Sequence, residues 1–137
     1  MADAHPPYIL RGLIVHGKGN GRTVGMPTAN LQIAPDAALP PYGVYAAWAR
    51  IDGAWYMGVT NVGLRPTLHD ENTPTVETLL LDFTGDLYGK RMELRLYSFL
   101  RETREMASLR EVERQVEKDM AEARRLLKGR TPPEGAF

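Results

Sequence analysis

The chain has 137 residues, 43% hydrophobic and 25% charged, enough for one soluble domain with its own core. Seventeen basic residues balance seventeen acidic ones, which argues against a general nucleic-acid binder, because such proteins carry a basic excess. There is no cysteine, and His5, His16 and His69 lie far apart, so a disulfide framework, a thiolate site and a zinc-ligand spacing are all excluded.

Residues 1–7 read as an N-terminal extension. Met1-Ala2-Asp3-Ala4-His5 lacks the charged and apolar regions of a signal peptide. No apolar run approaches the ~20 residues of a membrane span. The expected location is therefore the cytoplasm, with no membrane partner. The first strand is predicted over Tyr8 to His16, rich in Ile, Leu and Val.

Gly17 to Asn30 follows, and it carries the strongest chemical signal. Gly17, Gly19, Gly21 and Gly25 let backbone N–H groups approach a ligand, and Lys18 and Arg22 add positive charge. No Asp or Glu occurs between Asp3 and Asp36 to oppose an anion. The stretch is not a Walker loop, since Lys18 is followed by Gly19 and not by Ser or Thr. It is not a dinucleotide fingerprint either, because Pro27 stops any helix that would receive a pyrophosphate. It ends in Pro27-Thr28-Ala29-Asn30. If extended, Thr28 and Asn30 point to the same side, where a hydroxyl and an amide oxygen can ligate a hard cation such as Mg²⁺. Local chemistry leaves open whether they do so or only cap a turn.

Pro40-Pro41-Tyr42-Gly43 is a turn, and Gly43 to Ile51 and Ala54 to Val62 form a hairpin about Asp52-Gly53. A loop over Asp70 to Pro74 precedes a strand over Val76 to Phe83. In that strand Glu77 is expected to share a face with Leu79, Leu81 and Phe83, with Asp82 opposite, placing a carboxylate at the rim of a core. Such a rim suits proton abstraction, although Glu77 taken alone reads first as a satisfied structural carboxylate. After the turn Thr84-Gly85-Asp86, the strand Arg91 to Phe99 alternates well, with Met92, Leu94 and Leu96 on one face and Glu93 and Arg95 on the other.

Ser108 and Glu111 make a capping box. Leu109, Val112, Val116, Met120, Ala123 and Leu127 then form an apolar helical stripe, the charges on the other faces are read as solvated, and Gly129 stops the helix. Residues 129–137 are expected to be a flexible tail. Consecutive strands without intervening helices predict a mainly β fold: an antiparallel barrel with a C-terminal helix packed on it, over residues 8–128.

In this order, Pro27-Thr28-Ala29-Asn30, Gly43-Val44-Tyr45, Asn61-Val62-Gly63-Leu64-Arg65-Pro66-Thr67, Val76-Glu77, Leu81-Asp82-Phe83, Leu87-Tyr88-Gly89 and Leu100-Arg101-Glu102 resemble the riboflavin kinase (flavokinase) domain, from about Tyr8 to Leu127. The resemblance implies a six-stranded antiparallel Greek-key barrel. It implies transfer of the ATP γ-phosphoryl group to the ribityl 5′-hydroxyl of riboflavin, giving FMN and ADP, with Mg²⁺. Glu77 would be the catalytic base, and Thr28 and Asn30 would serve metal and phosphate. Gly17, Lys18, Gly19, Gly21, Arg22, Gly25, Pro27 and Tyr88 would lie on the ATP side. Arg101, Glu102, Arg104 and Met106 would lie in the segment closing over the flavin.

Three positions depart from the family pattern. Met26 stands where Phe is usual, Leu79 where a His commonly follows the catalytic Glu, and Met106 where an aromatic is common. Met packs adaptably, while loss of an aromatic would weaken flavin stacking. Leu79 removes a titratable group near the base, which would shift the pH profile without abolishing activity. The adenylyltransferase module of bifunctional relatives is expected to be absent, so the chain would make FMN but not FAD. Two other readings compete: a non-catalytic flavin- or nucleotide-binding module of the same fold, and a small barrel that binds nucleic acid. Intact Thr28, Asn30 and Glu77 oppose the first. Neutral charge and the lack of a basic-aromatic stripe oppose the second, so no nucleic-acid partner is expected.

Overall fold

The computed structural model describes residues 7–15, 27–33, 38–64, 74–104 and 106–129. Six strands and one helix occur among these residues: β1 (Tyr8–Val15), β2 (Thr28–Leu31), β3 (Gly43–Ile51), β4 (Ala54–Leu64), β5 (Pro74–Leu80), β6 (Arg91–Arg101) and α1 (Leu109–Leu127). The strands close into a barrel in the order β1-β2-β5-β4-β3-β6, and every neighbouring pair is antiparallel. β2 lies beside β5 and not beside β3, which is the long return connection of a Greek key. Closure leaves no sheet edge unpaired.

Local chemistry explains the elements. Asp52 and Gly53 both take positive φ (53° and 83°), the pair of left-handed residues that a two-residue hairpin needs to match strand twist. Alternating side chains sort into two layers. Ile14, Leu31, Val76, Leu80, Met92, Leu94 and Leu96 point into the barrel with Tyr45, Ala47, Ala49 and Ile51 of β3. The opposite face of β3 (Val44, Ala46 and Trp48) packs with Val59 and Leu81 against Ala123 and Leu127 of α1. Both faces of β3 are thus covered, and nearly the whole strand is buried. The three alanines Ala46, Ala47 and Ala49 let the helix and the barrel filling approach the strand closely.

Edge-to-face aromatic contacts fill two parts of the interior: Tyr45 with Tyr8 and Phe99 (ring centroids 5.9 and 5.4 Å apart), and Tyr56 with Phe83 (4.9 Å). The Tyr45 hydroxyl donates to the Pro41 carbonyl at 2.7 Å, so the ring is buried without an orphaned donor. Two register shifts between β3 and β6 leave Tyr97 and Leu100 without direct partners, bringing Phe99 opposite Tyr45 and Arg101 opposite Val44.

Three expectations need correction. The strand predicted over Val76 to Phe83 begins two residues earlier and ends at Leu80. Asp82 turns the chain with φ 59°, so Leu81 joins the layer beneath the helix while Phe83 enters the barrel. Leu81 thus stays in the layer on Glu77's side, with Leu79, and only Phe83 leaves that face. On α1, Leu109 is 51% exposed although it belongs to the predicted stripe. Asp119, expected in solvent with the other helix charges, is 5% exposed. Ser108 caps the helix as read: its Oγ accepts from Glu111 N at 3.2 Å. The return arm is displaced by one residue: Glu111 Oε1 accepts from the N–H of Ala107, before the cap, at 2.7 Å.

Candidate functional site

β2 alternates with Ala29 and Leu31 buried and Thr28 and Asn30 half-buried, so the hydroxyl and the amide share the outer face. Strand pairing extends this face sideways. Asn30 is opposite Glu77, Glu77 opposite Asn61, Asn61 opposite Val44, and Val44 opposite Arg101. Directly paired residues project to the same side of a sheet. Four polar side chains from β2, β5, β4 and β6 thus lie in one row, interrupted only by Val44. The next row is Thr28, Leu79 and Val59.

α1 together with Thr103, Arg104 and Met106 roofs these rows and leaves a cavity of about 300 Å³. Its polar lining is Thr28, Asn61, Glu77, Arg101, Thr103, Arg104 and Asp119, and Leu79, Met106, Val112 and Val116 contribute apolar walls. A largely apolar hollow with a few convergent polar groups is the usual form of a small-molecule site.

The cationic end of the row is held firmly. Arg101 Nε donates to Asp119 Oδ1 at 3.0 Å and Nη2 to Asp119 Oδ2 at 2.8 Å, a bidentate fork. Gln115, one turn earlier on α1, also donates to Asp119 Oδ1, at 3.0 Å. Arg101 Nη1 donates to the carbonyl of Glu102 at 3.1 Å. The roof touches the row a second time: Thr103 Oγ1 donates to Asn61 Oδ1 at 2.9 Å. Below the row, Thr60 and Thr78 share a fully buried 2.7 Å hydrogen bond inside the barrel, which fixes the β4–β5 register that sets Asn61 beside Glu77.

Among the residues expected to carry function, Thr28, Glu77, Arg101, Arg104 and Met106 line this one cavity. Asn30 is Glu77's strand partner without lining it, and Pro27 enters β2 with its carbonyl accepting from Leu80 N at 2.9 Å. Glu102 is exposed and outside the lining. Tyr88 is 46% exposed on the 81–90 connection, away from the cavity but beside Gly89, whose N–H bonds the Ile14 carbonyl near the end of β1. Gly17, Lys18, Gly19, Gly21, Arg22 and Gly25, together with Met26, lie outside the described residues.

Sequence reading missed Asn61, Thr103 and Asp119 as site residues. Asn61 opens one of the motifs of the resemblance but was given no role, and Asp119 carried a local signal: it is three residues after Val116 and four before Ala123, on the apolar stripe itself, where a carboxylate must be paired. Asn61 and Thr103 are set beside Glu77 only by pairing between distant segments.

Among the described residues no group of three His, Asp or Glu side chains could hold a metal ion. The donors on offer are the Thr28 hydroxyl, the Asn30 amide oxygen and the Glu77 carboxylate. Such a set fits Mg²⁺, which keeps waters and takes phosphate oxygens, better than a cation needing an all-protein cage. No helix among the described residues is long and apolar enough to cross a membrane.

Comparison with known proteins agrees with this architecture. A family model described as "Flavokinase: Riboflavin kinase" matches residues 4–127. A bifunctional riboflavin kinase/FMN adenylyltransferase of Bacillus subtilis is 38% identical over 119 residues, covering 85% of this chain and 38% of that protein. The chain thus spans well under half the length of that relative. An RNA-binding riboflavin kinase, RibR, of the same organism is 36% identical over 82% of this chain and 48% of its own length. The crystal structure of riboflavin kinase from Trypanosoma brucei superposes with a TM-score of 0.67 at 24% identity, over 91% of this chain and 82% of that one, a likeness of fold.

Proposed function

The chain belongs to the riboflavin kinase family, and from that premise we propose that it moves the ATP γ-phosphoryl group to the ribityl 5′-hydroxyl of riboflavin, giving FMN and ADP. The observation that carries this reading is the cross-strand row: a carboxylate, Glu77, flanked by the amides of Asn30 and Asn61, one residue row from the Thr28 hydroxyl, at a cavity with apolar walls.

Phosphoryl transfer asks little covalent chemistry of a protein and much positioning. In our reading Glu77 accepts the proton of the incoming hydroxyl and aims its oxygen at the phosphorus. Thr28 and Asn30 would hold Mg²⁺, which when bound neutralises phosphate charge. The N–H groups of Gly17, Gly19, Gly21 and Gly25, with Lys18 and Arg22, would cradle the polyphosphate. Pro27 would fix the entry to β2, and Tyr88 would stand on the nucleotide side. Arg104, Met106 and the anchored Arg101, with Glu102, would border the flavin. The 102–106 connection would exclude water that could otherwise intercept the phosphoryl group.

The test is incubation of the purified chain with riboflavin, ATP and Mg²⁺, separating flavins by chromatography. FMN is the expected product. Riboflavin and nucleotide binding without FMN would instead identify a non-catalytic module.

A further inference from the structure

The roof and the polar row meet at one side chain. Asn61 of β4 stands between Glu77 of β5 and Val44 of β3 and lines the cavity. Thr103 lines the same cavity from the roof, and its hydroxyl donates to Asn61 Oδ1 at 2.9 Å. That bond fixes the sense of the amide. With Oδ1 turned to Thr103, the two Nδ2 hydrogens are what Asn61 has left to offer. The reversed amide would present an acceptor in a row whose next member is the Glu77 carboxylate, so the sense observed is also the one its surroundings favour.

The cavity around this amide is divided. Leu79, Met106, Val112 and Val116 form apolar walls that suit a flat ring, and the polar groups gather along the row and its roof. The cationic end of the row is committed: Arg101 forks onto Asp119 and also donates to the Glu102 carbonyl. The Asn61 amide differs in being a neutral donor, held by one bond from the roof. Residues paired directly across strands have Cβ atoms about 5 Å apart, so Glu77 and Asn61 can reach neighbouring oxygens of a single chain. An aliphatic chain would leave the Nδ2 hydrogens facing a hollow with apolar walls and no acceptor, whereas a hydroxylated chain meets them.

We propose that Asn61 selects the hydroxylated side chain of the flavin. Its Nδ2 donates to a secondary hydroxyl of the ribityl group, beside the terminal hydroxyl assigned to Glu77, and Thr103 is the positioning residue that keeps the amide turned that way. This rests on riboflavin being the ligand of the cavity, as proposed above, but not on phosphoryl transfer, because the selection is exerted in binding. A site built around a hydrogen-bond donor rejects an analogue lacking the acceptor more strongly than apolar fit alone can.

The test is a fluorescence titration, without ATP, of the whole chain with riboflavin and with the flavin analogue that bears a plain hydroxypentyl chain. The analogue keeps the ring and the terminal hydroxyl and lacks the secondary ones. Wild type is expected to bind riboflavin roughly tenfold more tightly, the worth of one well-made hydrogen bond. Asn61→Leu should lose most of that preference by weakening riboflavin alone, with the affinity for the analogue kept. Thr103→Val should lose part of it in the same direction, and the double variant should lose no more than Asn61→Leu, because the two residues act through one contact. Thr103 is exposed, so Thr103→Val keeps the test valid if Asn61→Leu disturbs folding. Addition of MgATP to the same samples separates binding from reaction: a preference that persists where no FMN forms would support the selection and remove the reaction. Equal affinity of wild type for the two flavins, or losses by the same factor for both flavins in the variants, would overturn the proposal. A chain that binds neither flavin would overturn the selection and the reaction together.

Discussion

Glu77 and Asp119 are both carboxylates at one cavity, but their surroundings give them different work. Asp119 is buried, takes a bidentate Arg101 and a Gln115 amide, and so ties α1 to the end of β6. Removing one partner of such a pair strands the other, at about 3 kcal/mol. Asp119→Ala is therefore expected to lower stability by about that much, and Arg101→Met/Asp119→Leu by less than the sum of its single changes. Urea unfolding of the four proteins measures the coupling; additive losses would mean that the fork contributes nothing of its own. The same Asp119→Ala change should raise the KM for riboflavin more than it lowers kcat, because it loosens Arg101 and the border it anchors and leaves Asn30, Glu77 and Asn61 in place. Glu77→Gln should do the reverse. It keeps the shape, so binding persists while most of kcat is lost, by a factor on the order of a hundred or more for a missing general base. Near-normal turnover in Glu77→Gln would remove Glu77 from the base role. Glu77 was legible in the sequence because a familiar motif surrounds it. Asn61 lay in a motif of the same resemblance but its place beside Glu77 and Thr103 was not legible, because side-chain proximity across 42 residues of chain is a product of pairing and leaves no local mark.

At the level of elements, hydrophobic periodicity found the hairpin, β6 and the helix to within a few residues, since each carries its own signal: two positive-φ turn residues, alternation, and a capping box. β2 has four residues and was only conditionally extended in the sequence, yet it supplies two of the candidate ligands. β5 was found with its end misplaced, because Leu81-Asp82-Phe83 keeps the alternating pattern while Asp82 turns the backbone. The β4–β5 pairing is what aligns Asn61 with Glu77, and Gly58 is one of its tight points. A Cβ at Gly58 would sit 2.8 Å from Thr78 Cγ2 and 3.1 Å from the Leu79 carbonyl oxygen. Thr78 cannot yield easily, because its hydroxyl is committed to Thr60. Gly58→Ala is thus expected to cost about 1–3 kcal/mol by overpacking. Since the strain falls on the strand that bears Glu77, turnover should fall further than the unfolded fraction explains. A calorimetric scan alongside a rate measurement checks both; an unchanged Tm would show that the strands separate at no cost.

The whole molecule is neutral by count, so its response to pH is set by a few groups whose folded surroundings differ from water, and two of them act at opposite ends of the scale. Burial of Glu93, whose side chain is 12% exposed, raises its pKa, but hydrogen bonds from Arg95 and Arg11 and their charges outweigh this and hold the carboxyl below the usual range. A depressed acid stabilises the fold above the ordinary glutamate value of about 4.3, and that contribution is lost as pH falls through the lower folded value. Tyr45 is shifted the other way, first by burial and then by the neighbouring Tyr8, so its phenol stays protonated above the ordinary range. That contribution is present below about pH 10 and is lost as pH rises through the folded value. Asp82 and Glu122 are also held low, by Arg124 and Arg125, but both face solvent, where salt screens the effect. The acid limb should therefore depend on Glu93 at high ionic strength. Glu93→Gln is expected to unfold at lower urea than wild type at neutral pH, with the two midpoints converging as pH drops below about 4. Parallel curves across that range would mean that the Arg11–Glu93–Arg95 cluster adds nothing to acid stability. Convergence would mean that the fold holds Arg11 and Arg95 close partly because the carboxylate they share stays ionised.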